Sequence, residues 1–148
     1  MDFRGKDLSW PNRVATYDRI PNDEPAVLAA LAQRRRALTA WIDQHPGGLV
    51  HLRAYLDRDI SGNAHVQQRP ALQRLLAAAR THTFDLLLVH SLERLGRHPS
   101  VLLEILAALE PTHITIRSLN PREPPETLTR GQLAAHLRRL ANFYNPNR

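Results

Sequence analysis

Arg13-Val14-Ala15-Thr16-Tyr17-Asp18-Arg19-Ile20-Pro21 is the stretch that decides the fold. Arg13 to Tyr17 alternates in character and reads as a short strand, which Tyr17-Asp18-Arg19-Ile20-Pro21 closes. A helix is expected next. Asn22 and Asp23 can cap it, and the early Pro25 fits its first turn. Leu28, Leu31, Leu38, Trp41 and Ile42 keep helical spacing along one side, and Gly47-Gly48 ends the run.

The same alternation continues downstream. Leu49 to Leu56 reads as a second strand, followed by a polar loop from Asp57 to Gln68. Pro70 opens a helix with Leu72, Leu75, Leu76 and Ala79 on its buried stripe. Phe84 to Val89 is a continuous apolar run, the pattern of a central parallel strand covered on both faces. Pro99 starts a further helix carrying Leu102, Ile105, Leu106 and Leu109, and His113 to Arg117 reads as a fourth strand. Strand and helix in alternation predict an α/β fold: a three-layer, doubly wound, mainly parallel sheet whose ligand site lies at the carboxyl ends of the strands. Asn120 to Glu126 carries three prolines and reads as a stiff linker. Thr129-Arg130-Gly131-Gln132 resembles a capping box before Leu133, Leu137, Leu140 and Tyr144, the stripe of a projecting C-terminal helix. The expected division is an arm over residues 1–12 with Trp10 as an anchor, a domain over 13–119, and the linker and helix over 120–148.

Composition narrows the chemistry. With 148 residues, 43% of them hydrophobic, the chain has material for one domain with a proper core. It has no cysteine, which excludes disulfides, thiolate catalysis and thiolate zinc sites. No apolar run approaches the roughly 18 residues of a membrane span, and the first residues do not form a signal peptide, so a cytoplasmic protein without a membrane partner is expected. The 20 Lys and Arg against 14 Asp and Glu leave a net charge of +6, which favours an anionic partner such as nucleic acid. None of the eight histidines forms a close helical pair suited to zinc, and there is no glycine-rich nucleotide loop. Neither a metal nor a cofactor is expected.

Four local motifs carry the functional reading: Tyr17-Asp18-Arg19-Ile20-Pro21, Asp59-Ile60-Ser61-Gly62, Arg69-Pro70-Ala71-Leu72-Gln73-Arg74-Leu75-Leu76, and Leu92-Glu93-Arg94-Leu95-Gly96-Arg97. In this order they resemble the catalytic domain of the serine recombinases, the resolvase/invertase family, over roughly Arg13 to Leu140. The family turn reads Tyr-x-Arg-Val-Ser-Thr; here Ile20 replaces the Val and Pro21 stands at the nucleophilic Ser. The resemblance implies a resolvase-like fold and a reaction in which serine attacks a DNA phosphate to give a 5′-phosphoserine link. It implies no metal, with arginines meeting the charge that develops on the phosphoryl oxygens. The matching residues are Arg19, Arg69, Arg94 and Arg97, expected to bind DNA phosphate. Ser61 matches a serine that organises the site, and Glu93 stands where the family has Asp. Pro21 has no hydroxyl and cannot attack a phosphate. The resemblance also implies that the C-terminal helix forms a dimer interface leading to a separate DNA-binding domain. The chain stops at Arg148, so that domain is expected to be absent.

Three functional readings follow. The first is a resolvase-like domain without its nucleophile, a catalytically inactive, DNA-associated or regulatory protein. The second is an active site-specific recombinase using another nucleophile. The third is a protein-interaction module that no longer binds DNA. Ser91 with His90 as base is a conceivable substitute nucleophile, but adjacent strand residues point to opposite faces. Ser61 reads equally as a plain turn residue; Gln33 resembles a family glutamine on the first helix and reads equally as a solvated one; Arg34-Arg35-Arg36 and Arg138-Arg139 read as solvated helix faces or as runs resting on a DNA backbone. Retention of all four motif arginines favours the first reading, because clustered positive charge is costly without an anion. The expected partners are DNA, bound weakly through its phosphates, and a second protein chain, as homodimer or hetero-association through the C-terminal helix.

Overall fold

A computed structural model of the chain describes residues 12–45 and 47–123. The arm expected over residues 1–12, apart from Asn12, and the helix expected from Thr129 to Tyr144 lie outside the described residues. In chain order the elements are β1 (Arg13–Ile20), α1 (Pro25–Gln44), β2 (Val50–Arg58), a 3-10 turn (Val66–Gln68), α2 (Pro70–Arg80), β3 (Leu86–Val89), α3 (Leu92–Leu95), α4 (Pro99–Leu109), a second 3-10 turn (Glu110–Thr112) and β4 (Thr115–Ser118). The strands form one all-parallel sheet in the order β2-β1-β3-β4.

Period-two alternation sorts the sheet into two faces. On one face Val14, Leu86 and Leu88 pack with Leu38 and Ile42 of α1. On the other, Ala15, Tyr17, Tyr55, Leu87 and Val89 pack with Leu72, Leu75, Leu76 and Ala79 of α2 and with Val101, Leu102, Ile105 and Leu109 of α4. β3 is buried along its whole length, as its unbroken apolar run requires. Each fully buried leucine there contributes about 1.5–3 kcal/mol relative to exposure. The result is helix, sheet and helix, in three layers. At the amino-terminal edge of the sheet Arg13 closes a two-point ion pair on Asp85, Nε to Oδ2 at 2.9 Å and Nη2 to Oδ1 at 2.8 Å. This pair ties the start of β1 to that of β3.

Several boundaries differ from the sequence-based expectation. β1 runs on to Ile20, because pairing with β2 continues through Arg19 against Asp57 and Ile20 against Arg58. Asp57 therefore ends a strand and is buried, and the loop starts after Arg58. The N-cap of α1 is Glu24; Asn22 Oδ1 instead accepts from the Glu24 N–H at 2.9 Å, a turn that precedes the helix. Leu28, which shares helical spacing with Leu31, Leu38, Trp41 and Ile42, is exposed. β4 begins at Thr115, since Glu110–Thr112 continues α4 as a tight turn and His113 takes a left-handed conformation with φ of 59°.

Candidate functional site

The carboxyl end of β1 presents consecutive residues to opposite sides of the sheet. Tyr17 and Arg19 face α2 and α4, and Asp18 faces α1. Both Arg19 and Arg69 are fully buried, unusual for guanidinium groups, and each is placed by polar contacts. Arg19 Nη2 donates to the carbonyl of Glu93 at 2.9 Å. Arg94 Nη1 donates back to the carbonyl of Arg19 at 3.0 Å. Arg69 Nη2 donates to the Tyr17 hydroxyl at 2.8 Å and approaches the Arg94 carbonyl at 3.4 Å, with its guanidinium carbon 5.4 Å from the Tyr17 ring centroid. Three arginines from three distant motifs thus interlock around the ends of β1 and α3.

Arg97 joins them through the loop after β2. Its N–H donates to the carbonyl of Gly62 at 2.9 Å. Gly62 is needed at this approach: a Cβ there would lie 2.8 Å from Arg97 Cβ and 2.9 Å from Arg19 Nη2. The Arg97 side chain is exposed. Burial, with the charges of Arg94, Arg69 and Arg97 adding to it, brings the Arg19 guanidinium down to about 10. Two donors inside the cluster, Arg19 Nε and Arg69 Nη1, are buried and make no hydrogen bond. Donors of this kind favour a site that receives an anion.

Two carboxylates that the motifs did not single out organise the cations. Asp57 accepts from the Tyr17 hydroxyl at 2.8 Å and from the N–H groups of Ala71 and Leu72 at 2.7 and 3.0 Å, so one side chain holds the start of α2 and the arginine-bearing tyrosine. Burial pushes the Tyr17 hydroxyl above its ordinary range, against the opposing pull of Arg69. Asp18 accepts two hydrogen bonds from Arg34, Nε to Oδ2 at 2.7 Å and Nη2 to Oδ1 at 2.9 Å, and lies 3.6 Å from Arg94 Nη1. Arg34 is therefore no solvated residue of a helix face. The missed signals were strand parity, which puts Asp57 beside Tyr17 on one face, and the two-point match between Arg34 and a strand-end carboxylate.

The remaining expected residues lie at the margin. Pro21 is exposed directly after β1. Ser61 is exposed, and its hydroxyl accepts from the Asn63 N–H at 3.0 Å in a turn. The Glu93 side chain is solvent-facing, its Oε2 3.8 Å from Arg94 Nη2, while its backbone carbonyl serves Arg19. Ser91 is buried where α3 starts, and the N–H of Leu92 donates to Glu123 Oε1 at 3.0 Å. Among the described residues no group of three or more His, Asp or Glu is placed to hold a metal ion.

The model of the family described as "Resolvase, N terminal domain" matches residues 14–145. The chain belongs to the resolvase family. As a resolvase domain it shares its fold with solved recombinase structures. The N-terminal catalytic domain of TP901-1 integrase superposes with a TM-score of 0.70 at 23% identity, over 91% of this chain and 98% of that one. A resolvase family site-specific recombinase from Streptococcus pneumoniae gives 0.64 at 17%, over 92% and 89%. The C-terminal catalytic domain of ISC1926 TnpA, an IS607-like serine recombinase, gives 0.61 at 18%, over 90% and 84%. Comparison with curated proteins found no match. No helix among the described residues is long and apolar enough to cross a membrane.

Proposed function

We propose that this resolvase domain binds DNA through its phosphates and forms no covalent link to it, acting as a DNA-associated or regulatory member of a recombinase family. The observation that carries the reading is the interlocked set Arg19, Arg69 and Arg94, with two buried guanidinium donors left unbonded, beside a strand end that carries Pro21 where the family serine stands. The first part supports anion recognition. The second supports loss of the attack, because the pyrrolidine ring carries no nucleophilic atom.

Phosphate contacts without base contacts give affinity that falls steeply with salt and is indifferent to sequence. Fluorescence anisotropy with random-sequence duplex DNA across a salt series tests this directly. A linear fall of log affinity with log salt, weakened by charge reversal at Arg94 or Arg97, is the expected result. Salt-insensitive binding, or none at low salt, would reject it and favour an interaction module. The same proposal assigns self-association to the segment bearing Leu133, Leu137, Leu140 and Tyr144; a monomeric mass by light scattering at high micromolar concentration would reject that part.

A further inference from the structure

We propose that Asp18 is an internal counter-anion of the arginine site, competing with DNA phosphate for Arg34 and Arg94. The inference rests on the phosphate-binding reading above and adds Arg34 to the site as a cation held in reserve. The geometry is that of anion recognition: both oxygens of the Asp18 carboxylate meet the Arg34 fork at 2.7 and 2.9 Å, the arrangement a guanidinium also makes with phosphate. The third partner is the Arg19 N–H, 2.7 Å from Oδ1, and the fourth is Arg94 at 3.6 Å. The carboxylate is buried, and the Arg34 and Arg94 side chains are only 16% and 13% exposed, so solvent screens these charges poorly.

Other carboxylates near the cluster do not do this work. Asp57 is committed to the Tyr17 hydroxyl and the start of α2. Glu93 is exposed, 3.8 Å from Arg94. Asp18 therefore offsets the charge of a cluster that also contains Arg19 and Arg69, and its removal frees Arg94 from this competitor and leaves one further guanidinium, that of Arg34, for an incoming phosphate. Strand parity explains its access to both cations: it faces α1, which brings Arg34, while Arg94 reaches it across the end of the sheet from α3.

Asp18→Asn tests the idea, since the amide oxygen still accepts from the Arg19 N–H while the charge is gone. Asp43→Asn, an exposed change of equal charge on α1, is the control. Asp18→Asn is expected to bind random duplex DNA roughly eight-fold more tightly than the natural chain at 0.1 M salt, with a salt slope steeper by about one, as for one additional phosphate contact. Binding by Asp18→Asn no stronger than that of Asp43→Asn, with the natural chain binding normally, overturns the inference and leaves the proposed function standing. Absence of binding by both the natural chain and Asp18→Asn overturns both. Should Asp18→Asn fail to fold, Asp18→Ser decides the matter, since it also removes the charge. Affinity above that of Asp43→Asn supports the competition, and affinity no higher rejects it.

Discussion

The Tyr17 hydroxyl donates to Asp57 Oδ2 at 2.8 Å, joining the ends of neighbouring strands β1 and β2 on the face covered by α2. Through this bond the helix start that Asp57 caps and the guanidinium that Tyr17 receives from Arg69 become one unit. The placement of Arg69 thus depends, through Tyr17, on the Asp57 carboxylate.

Asp57→Ala is expected to cost about 3 kcal/mol, combining the loss of a helix cap with buried donors left without an acceptor. Urea denaturation with an unchanged m value measures it. A loss below about 1 kcal/mol would show that the cap and the tyrosine find other partners.

Gly62→Ala should displace the Arg19 guanidinium, because the new methyl group would sit 2.9 Å from Nη2 and 2.8 Å from Arg97 Cβ. A stability loss of about 1–3 kcal/mol is expected from the overpacking, with DNA affinity falling by more than stability alone explains. Denaturation and anisotropy on the same variant separate the two effects. Unchanged DNA affinity would place Arg19 outside the binding surface.

Incubation of the natural chain with duplex DNA is expected to yield no adduct that survives denaturant. On the proposed reading, Pro21→Ser should give the link only in part, since Glu93 faces solvent. Denaturing gels read both outcomes. An adduct from the natural chain would overturn the assignment and direct attention to Ser61, whose hydroxyl is exposed.

At the other edge of the sheet, the Arg13 guanidinium, chiefly through its hydrogen bond, holds the Asp85 carboxyl below the usual range. A depressed carboxylate stabilises the fold above its unfolded-state pKa and loses that contribution as pH falls through the folded value. Asp85→Asn should therefore lower the melting temperature at pH 7, and the gap from the natural chain should close as the pH drops below the ordinary carboxylate range. A gap that persists into strong acid would mean that packing, and not the ion pair, is responsible.

Local pattern in the sequence determined the succession of strands and helices along the chain and the central place of the apolar run that ends at Val89, and short motifs marked Arg19, Arg69, Arg94 and Arg97, because period-two and helical spacings and short motifs are properties of neighbouring residues. Tertiary structure alone decided which charge meets which. Asp18 and Arg34 are 16 residues apart, Tyr17 and Arg69 are 52, and Arg19 and Arg94 are 75. Nothing in the Arg34-Arg35-Arg36 run marks the first arginine as the paired, half-buried one; the Asp18 carboxylate, turned toward α1 by strand parity, selects it. Crossover connections in a parallel sheet gather the carboxyl ends of distant strands at one edge. Partners at that edge are therefore set by strand order and pairing register, quantities that no local stretch of the chain encodes.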